Sequence, residues 1–368
     1  MLKLDLPIPG DDAQEHSERV KGYIREYINK EGGKISFDRY MDLVLYAPGL
    51  GYYAAGSQKF GRSGDFITAP EIGSLFSRCL ARQVAEVLRR IGHGAILEVG
   101  PGTGALAVGL LKELTALGVL PDQYALLEVS PYLKKCQQEL LASQLGERVE
   151  RCVWLEDLPH DWTGVVLVNE VLDAVPVTRF QVRSGLPYLA EVHDEGAGFE
   201  LRWLLDNKLR TEMDLIKKYR LPDGYTSEVS ERADAWVVKA ASRLRRGLLL
   251  IIDYGYAEHE YYHRERVTGT LMCHYRHRSH MDPFLYPGLQ DLNTPIEFSA
   301  VASAGQAAGL DIAGFTSQEA FLLSTGILDL IGDALSGPVD PKLGAELKHL
   351  TLASDMGESF MALAMVKH

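Results

Sequence analysis

Short apolar runs that alternate with helical stretches limit the possible folds of this chain more than any other feature. The runs are residues 95–99 (AILEV), 124–129 (YALLEV), 165–168 (VVLV) and 248–252 (LLLII). The first two are followed by stretches with apolar residues at helical spacing, ALAVGLLKELTAL and SPYLKKCQQELLASQL. Apolar strands that alternate with helices indicate a parallel sheet covered on both faces. The sequence therefore predicts an α/β protein with a doubly wound sheet.

Three stretches depart from this alternation. Residues 13–88 have helical periodicity interrupted by a glycine-rich loop, residues 177–205 alternate polar and apolar side chains like an antiparallel meander, and residues 257–297 show no clear period. A chain of 368 residues is long enough for two domains of about 150 residues or for one domain with insertions. We predict an N-terminal helical region with a lid loop (1–90), an α/β core (91–175 and 245–368), and insertions that form a further subdomain (176–244 and 257–297).

Composition and charge exclude several classes of protein. The net charge of -12 disfavours broad binding to nucleic acid or anionic lipid, since both require a basic surface. No apolar run reaches the roughly 18 residues of a membrane span. The four cysteines form no CxxC pair, and residues 1–12 lack the character of a signal or transit peptide. We therefore expect reduced thiols and a cytoplasmic location, and we make no prediction of the oligomeric state.

A glycine-rich loop, GPGTG, directly follows the first strand. Gly100, Gly102 and Gly104 allow a tight turn and a close approach of the backbone to a ligand. Glu128 ends the next strand, where a carboxylate can accept hydrogen bonds from both ribose hydroxyls of a nucleotide. This strand, loop, helix, strand and acid together predict a nucleotide-binding unit.

The same loop also fits the GxGxxG/A pattern of NAD(P) enzymes, with Ala105 in the last place. Glu98 distinguishes the two interpretations, because its carboxylate would repel a pyrophosphate but attract the cationic groups of S-adenosylmethionine. The pattern favours S-adenosylmethionine and leaves a NAD(P) enzyme, or a turn without a ligand, as alternatives.

Longer motifs resemble one known family. LEVGPGTG, GDFITAPEIGSLF, LLEVSPYL, NEVLDAVPV, LLIIDYGY and CHYRHRSHMDPFLYPGLQDL occur in this order, as in the MidA family of S-adenosylmethionine-dependent methyltransferases. The resemblance covers nearly the whole chain. It implies a Rossmann-like class I methyltransferase core with S-adenosylmethionine as cofactor and with inserted segments on the substrate side. The family includes a mitochondrial assembly factor that dimethylates an arginine of a respiratory complex I subunit, so the resemblance implies a protein arginine as acceptor.

The cofactor site is predicted from the glycine loop, its neighbours and the resemblance. It comprises Glu98, Gly100, Pro101, Gly102, Thr103, Gly104, Glu128 and Val129, with Asp65, Thr68 and Glu71 contributed by the lid loop. Thr68 and Glu71 also fit a TxxE capping box, which would begin a helix. Both interpretations of these two residues stay open.

Asn169, Glu170 and Asp173 follow the strand at residues 165–168, beside the crevice where doubly wound sheets bind ligands. A guanidinium group is protonated and has no free lone pair, so its methylation requires a group that orients it and takes up a proton. Glu170 and Asp173 fit this role as paired carboxylates, and we predict them, with Asn169, as catalytic residues. In the alternative, Asp173 caps a helix and Glu170 binds a backbone amide.

Cys273, His274, His277 and His280 resemble a metal site at first sight. Their spacing fits no common zinc pattern, and the interleaved Arg276 and Arg278 would repel a cation, so we predict a substrate-side surface and no metal. The alternatives to a protein arginine methyltransferase are a small-molecule methyltransferase, a NAD(P)-dependent oxidoreductase and a non-catalytic assembly factor.

Overall fold

The computed structural model describes residues 6–56, 68–206, 209–335, 341–352 and 355–368. These residues divide into two units. The first unit comprises Met1–Phe66, Asp173–Ala233 and Tyr256–Glu297, and the second comprises Ile67–Leu172, Asp234–Gly255 and Phe298–His368.

The helices and strands are numbered separately in chain order. The helices are α1 (Asp11–Lys30), α2 (Phe37–Tyr46), α3 (Ala69–Ile72), α4 (Leu75–Ile91), α5 (Ala105–Ala116), α6 (Pro131–Leu145), α7 (Arg210–Tyr219), α8 (Glu231–Arg243), α9 (Glu258–Tyr261), α10 (Phe298–Ala307), α11 (Gln318–Ser324), α12 (Ile327–Leu335) and α13 (Pro341–Thr351). The strands are β1 (Lys34–Ser36), β2 (Ala95–Val99), β3 (Tyr124–Leu127), β4 (Cys152–Leu155), β5 (Trp162–Asn169), β6 (Thr178–Arg183), β7 (Leu186–Asp194), β8 (Phe199–Leu205), β9 (Thr226–Val229), β10 (Leu244–Tyr256), β11 (Met272–Tyr275), β12 (Arg278–His280), β13 (Asp291–Asn293), β14 (Ile296–Glu297), β15 (Asp311–Ser317) and β16 (Phe360–Lys367).

The second unit is built on a twisted sheet with the strand order β15-β16-β10-β5-β2-β3-β4. The pairs of β2, β3, β4, β5 and β10 are parallel, whereas β16 is antiparallel to both β10 and β15. The chain order reverses between β2 and β5, since β3 lies on one side of β2 and β5 on the other. The predicted doubly wound, Rossmann-like sheet is confirmed, and its crevice opens where β2 and β5 end.

The central strands of the second unit are buried on both faces, since adjacent residues such as Ile96 and Leu97, or Leu250 and Ile251, are all buried. Side chains of α4 and α5 pack with those of β2, β3, β5 and β10 into one buried cluster, to which α11 and α12 also contribute. A strand with helices on both faces has no polar side. Because α4 packs into this cluster, residues 75–91 belong to the second unit, whereas the sequence-based division grouped them with the N-terminal helices.

The first unit contains an antiparallel sheet. Strands β6, β7 and β8 form a meander, with β9 added beside β6 and β1 beside β7. The meander is as predicted. Helices α1 and α2 bury their apolar faces on this sheet, so the N-terminal helices and the 178–205 insertion share one core. Strands β12, β11 and β13 form a separate small sheet in the same unit.

Two further properties of the described residues bear on function. In these parts of the chain, no helix is both long enough and apolar enough to cross a membrane. All four cysteines are free thiols, and Cys79, Cys152 and Cys273 are buried. Burial raises the thiol pKa of Cys79 and of Cys152 to about 11, which leaves both uncharged at neutral pH.

Candidate functional site

The glycine loop connects β2 to α5 in a backbone conformation that disfavours side chains. Gly100, Gly102 and Gly104 have φ angles of 61°, 55° and 89°. A Cβ atom at Gly100 would lie 2.8 Å from Val171 Cγ2, and one at Gly104 would lie 2.9 Å from Leu141 Cδ1. The loop is therefore bare backbone for two separate reasons, conformation and packing, and Pro101 and Thr103 are its only side chains.

Glu128 lies directly after β3, at the carboxyl end of the sheet. Its Oε1 accepts a hydrogen bond from the Ser130 backbone amide at 2.8 Å, and its Oε2 accepts one from Gln137 Nε2 at 2.9 Å. Burial raises the pKa of Glu128, and the hydrogen bonds from Ser130 and Gln137 partly offset this effect. The next side chain, Val129, is 71% exposed. A fixed carboxylate beside an uncovered apolar side chain fits the ribose and adenine of a nucleoside.

Glu98 is buried at the end of β2. The Tyr124 hydroxyl donates a hydrogen bond to Glu98 Oε2 at 2.6 Å. Burial raises the pKa of Glu98 to about 8, and the negative charge of Glu128 contributes to this shift. In the cofactor-free protein at neutral pH the carboxyl is therefore mainly protonated, and a cationic ligand nearby would favour its ionised form.

Glu98 should make the stability of the cofactor-free protein depend on pH. Between its ordinary pKa of 4.5 and its folded-state pKa of about 8, the folded protein holds a proton that the unfolded chain has released. The free energy of unfolding then falls as pH rises, by up to about 1.4 kcal/mol per pH unit for one such group. In urea unfolding from pH 5.5 to 8, Glu98→Gln should lose less stability than the wild type. Parallel curves for the two proteins would contradict the shift.

Glu170 directly follows β5 and has a φ of 53°, a left-handed conformation that is strained for a residue with a side chain. Its Oε1 accepts hydrogen bonds from the Ala69 backbone amide and from Asn169 Nδ2, both at 3.2 Å. Burial raises the pKa of Glu170 to about 8, and the charge of Asp253 adds to the shift. The alternative in which Glu170 binds a backbone amide is thus observed, and it leaves the second carboxyl oxygen, Oε2, outside these two bonds.

Asn169, the last residue of β5, has a buried side-chain amide next to Glu170. Its Oδ1 is buried without a hydrogen-bond partner in the described part of the chain. Val168 is paired with Val99, the residue that precedes the glycine loop. The ends of β2 and β5 therefore bring Gly100, Asn169 and Glu170 together at the crevice.

Asp253, at the end of β10, holds the backbone that follows Glu170. Its Oδ2 accepts hydrogen bonds from the amides of Val171 at 3.1 Å and Leu172 at 3.0 Å, and its Oδ1 accepts one from Tyr254 at 2.8 Å. Sequence reasoning left Asp253 undecided between crevice and turn. The charge of Asp253 also adds to the raised pKa of Glu170. The predicted pairing of Glu170 and Asp173 on the acceptor stays a prediction.

Asp173 belongs to the first unit. Its backbone carbonyl accepts a hydrogen bond from the Thr294 amide at 2.9 Å. Burial raises the pKa of Tyr53, and the charges of Asp291 and Asp173 add to this shift. The Tyr53 hydroxyl donates to Asp291 Oδ1 at 3.0 Å. The ring of Tyr46 stacks on Tyr53 with 5.6 Å between centroids. We name Tyr46, Tyr53, Asp173 and Asp291 the aromatic-acidic cluster.

The residues of the predicted lid have mixed outcomes. Asp65 lies outside the described residues, as does residue range 57–67 of the loop. Thr68 precedes α3, but its side chain makes no capping hydrogen bond. Glu71 instead accepts a hydrogen bond from the Thr103 hydroxyl of the glycine loop. The capping-box interpretation was therefore wrong, because the carboxylate of Glu71 turns toward the loop and not toward its own helix terminus.

Sequence reasoning missed Gln137. It lies on α6 between Leu133 and Leu141, at the four-residue spacing of the buried face, and is itself fully buried. A polar residue on an otherwise apolar helix face was the available signal.

The His-rich segment forms parts of β11 and β12, where Cys273 pairs with His280 in the ladder. Both side chains are buried, and burial lowers the pKa of His280. Among the described residues, no group of three His, Cys, Asp or Glu side chains is arranged to hold a metal ion. The predicted contact of this segment with substrate stays a prediction.

Comparison with known proteins identifies the family. The model of a family described as S-adenosyl-L-methionine-dependent methyltransferase matches residues 79–316, which include the glycine loop, Glu128 and Asn169–Asp173. The chain belongs to the MidA family of S-adenosylmethionine-dependent methyltransferases. It is an enzyme that transfers methyl groups.

Relatives of this methyltransferase are spread over animals and bacteria. It is 30% identical over 370 residues to the mitochondrial protein arginine methyltransferase NDUFAF7 of Danio rerio, covering 91% of this chain and 84% of that protein. The Drosophila melanogaster homolog is 29% identical over 342 residues, covering 83% and 75%. A Burkholderia thailandensis protein crystallised with S-adenosyl-homocysteine is similar with a TM-score of 0.94 and 42% identity, covering 99% of this chain and 95% of that one.

The described residues fit S-adenosylmethionine as the cofactor. The bare glycine loop admits the close approach of a ligand, Glu128 can accept from the ribose, and Val129 can cover the adenine. Bound there, S-adenosylmethionine supplies a methyl group on a positively charged sulfur. The acids Glu98 and Glu128 suit a cationic cofactor, and these observations favour it over NAD(P).

Proposed function

We propose that this methyltransferase modifies an arginine side chain of a protein partner. The observation that carries the proposal is Glu170, a carboxyl with a pKa raised to about 8 at the end of β5, beside the glycine loop. The relatives named as protein arginine methyltransferases support it.

The chemistry of arginine explains the choice of Glu170. The guanidinium is protonated at neutral pH, so its nitrogen becomes nucleophilic only as an N–H proton leaves. The methyl group would pass from the cofactor sulfur to this nitrogen, so that the S–C bond breaks as the N–C bond forms and the cofactor is left as a neutral thioether. The N–H proton passes to Glu170, and the carboxylate becomes a carboxylic acid. A group whose pKa is near 8 holds the proton better than an ordinary carboxylate, and it is near the working pH that general bases require. The positive charges of cofactor and acceptor favour its ionised form before the reaction.

Groups that recognise a guanidinium also occur in the aromatic-acidic cluster. Stacked tyrosines bind a guanidinium through its planar face, and carboxylates bind its N–H groups. Tyr46 and Tyr53 stack, and the negative charges of Asp173 and Asp291 add to the raised pKa of Tyr53. In this proposal Asn169 Oδ1 is a further hydrogen-bond acceptor beside Glu170. The orienting role of Asp173 stays a prediction from the sequence.

The resemblance described above makes a core subunit of a respiratory complex I type enzyme the first candidate partner, and another protein the second. An experiment without a chosen partner tests both. The protein and labelled S-adenosylmethionine are incubated with a lysate of cells that lack this protein, so that its acceptor sites are unmethylated. Proteins are separated from small molecules, and the labelled protein is hydrolysed to amino acids.

We expect the label in methylated arginine, at a level well above that of a lysate incubated without the enzyme. Label confined to small molecules would favour the small-molecule alternative. Label in a different amino acid would refute arginine as the acceptor.

A further inference from the structure

Gln137 occupies a position where a polar side chain is costly. It is fully buried on α6, on the face formed by Leu133, Leu141 and Leu145. A buried primary amide destabilises a protein unless its hydrogen bonds are made. The contacts of this side chain therefore indicate why an amide is present.

Each polar atom of Gln137 has a partner, and the partners include both parts of the cofactor site. Its Nε2 donates to the carbonyl oxygen of Gly102 at 2.8 Å and to Glu128 Oε2 at 2.9 Å. Its Oε1 accepts a hydrogen bond from Trp154 Nε1 at 2.9 Å. The indole of Trp154 can only donate, so the orientation of the amide is determined, and both N–H groups face Gly102 and Glu128.

Close packing supports this arrangement. A Cβ atom on Gly104 would lie 3.3 Å from Gln137 Cγ and 2.9 Å from Leu141 Cδ1. The missing side chain at Gly104 thus lets α6 approach the glycine loop closely enough for the Gln137 amide to reach Gly102. One buried side chain connects the loop, the carboxylate and β4.

We propose that Gln137 is a positioning residue that sets the Glu128 carboxylate for the ribose of the cofactor. A carboxylate has two oxygens with about four acceptor positions. The Ser130 amide takes one acceptor position on Oε1 and Gln137 takes one on Oε2. These two bonds fix the plane of the Glu128 carboxylate and therefore the direction of the acceptor positions that are left for the ribose hydroxyls. An acceptor that is already oriented binds hydroxyls without the cost of ordering. The same amide binds the Gly102 carbonyl, which fixes the position of the glycine loop relative to Glu128.

The test compares two ligands in one variant. Gln137→Met keeps the length of the side chain and removes its hydrogen bonds. We expect the Kd of S-adenosylhomocysteine to rise about tenfold or more, as for the loss of a hydrogen bond to a charged group. The Kd of its 2′,3′-dideoxy analogue should change little, because that analogue has no ribose hydroxyls. The Kd of the dideoxy analogue divided by the Kd of S-adenosylhomocysteine, both measured by titration calorimetry, should therefore be smaller in the variant than in the wild type. An unchanged ratio would overturn the proposal.

A matched control separates positioning from general destabilisation. Gln318 is also fully buried in the second unit, and its Nε2 donates to the Leu350 carbonyl at 3.2 Å. Gln318→Met should lower the melting temperature and leave the ratio of Kd values unchanged. If Gln137→Met does not fold, Gln137→Asn keeps an amide but withdraws it by one methylene, and it should shrink the same ratio.

A double variant tests whether Gln137 acts through Glu128. In a Glu128→Ala background, Gln137→Met should weaken S-adenosylhomocysteine binding by less than about threefold, because the acceptor that it orients is gone. If Gln137→Met weakened binding as much in the Glu128→Ala background as in the wild type, Gln137 would not act through Glu128. These measurements use no methyl acceptor, so the proposal can fail while arginine methylation holds, and the reverse.

Discussion

Replacing Glu170 by Gln should lower the turnover of arginine methylation by about 10²- to 10⁴-fold, the range for loss of a proton acceptor. Glutamine has the size of glutamic acid but cannot take up the proton that leaves the guanidinium. The affinity for S-adenosylhomocysteine, measured by calorimetry, should stay within about threefold of the wild type, since Glu170 is not assigned to cofactor binding.

The variant should fold, because Gln resembles the protonated form of Glu170. With a pKa of about 8, that form predominates in the cofactor-free protein at neutral pH, and a glutamine Oε1 can still accept from the Ala69 amide. Glu113→Gln is a suitable control, since Glu113 pairs with Arg78 on the helices of the second unit. Its turnover should be near that of the wild type.

The pH dependence of turnover gives a second measurement on the same variant. Only ionised Glu170 can accept a proton, so wild-type turnover should rise with pH and level off. The apparent pKa should lie below the cofactor-free value of about 8, because the cationic ligands favour ionisation. In Glu170→Gln this rise should be absent. Unchanged turnover in that variant, or an unchanged pH profile, would sink the assignment of Glu170 as proton acceptor.

Removing the Glu128 carboxylate should weaken cofactor binding about 10²- to 10⁴-fold. Two hydrogen bonds from ribose hydroxyls to a carboxylate contribute about 1.5–3 kcal/mol each, and tenfold in Kd corresponds to about 1.4 kcal/mol. Glu128→Ala also leaves the Gln137 amide and the Ser130 backbone amide without their acceptor. We expect the Kd of S-adenosylhomocysteine, measured by calorimetry, to rise accordingly.

The control for Glu128→Ala is Glu139→Ala. Glu139 is exposed on α6, on the side of the helix opposite Gln137, and its substitution should leave the Kd unchanged. A Glu128→Ala protein that binds S-adenosylhomocysteine as tightly as the wild type would show that the ribose is held elsewhere.

Local patterns were sufficient for the strands and the glycine loop. The predicted strand at residues 95–99 coincides with β2, and GPGTG connects it to a helix as expected. Strand periodicity and glycine conformation depend on neighbours in the sequence, so they are readable without a tertiary structure. The same limit explains the error at Thr68 and Glu71. The spacing fits a capping box, but the carboxylate of Glu71 bonds to Thr103, which lies 32 residues further along the chain.

The division of the chain into two units also depends on contacts that neighbouring residues in the sequence do not reveal. Residues 75–91 have the periodicity of an amphipathic helix, like α1 and α2, and the sequence cannot tell which sheet such a helix covers. Only the packing of α4 into the cluster of the second unit decides this. The buried face of α6 is similar, since the value of an amide at Gln137 depends on Gly102, Glu128 and Trp154 coming together.

The amino-acid sequence by itself determined a doubly wound α/β fold with a glycine loop after its first core strand and an acid after the next, a pattern that favours a methyltransferase. The tertiary structure decided which acids interact. It added the charge of Asp253 to the raised pKa of Glu170, and it connected Glu128 to the loop through Gln137. Burial and the approach of distant segments set the pKa of a carboxyl and the orientation of its oxygens, and neither is encoded at one position of the chain.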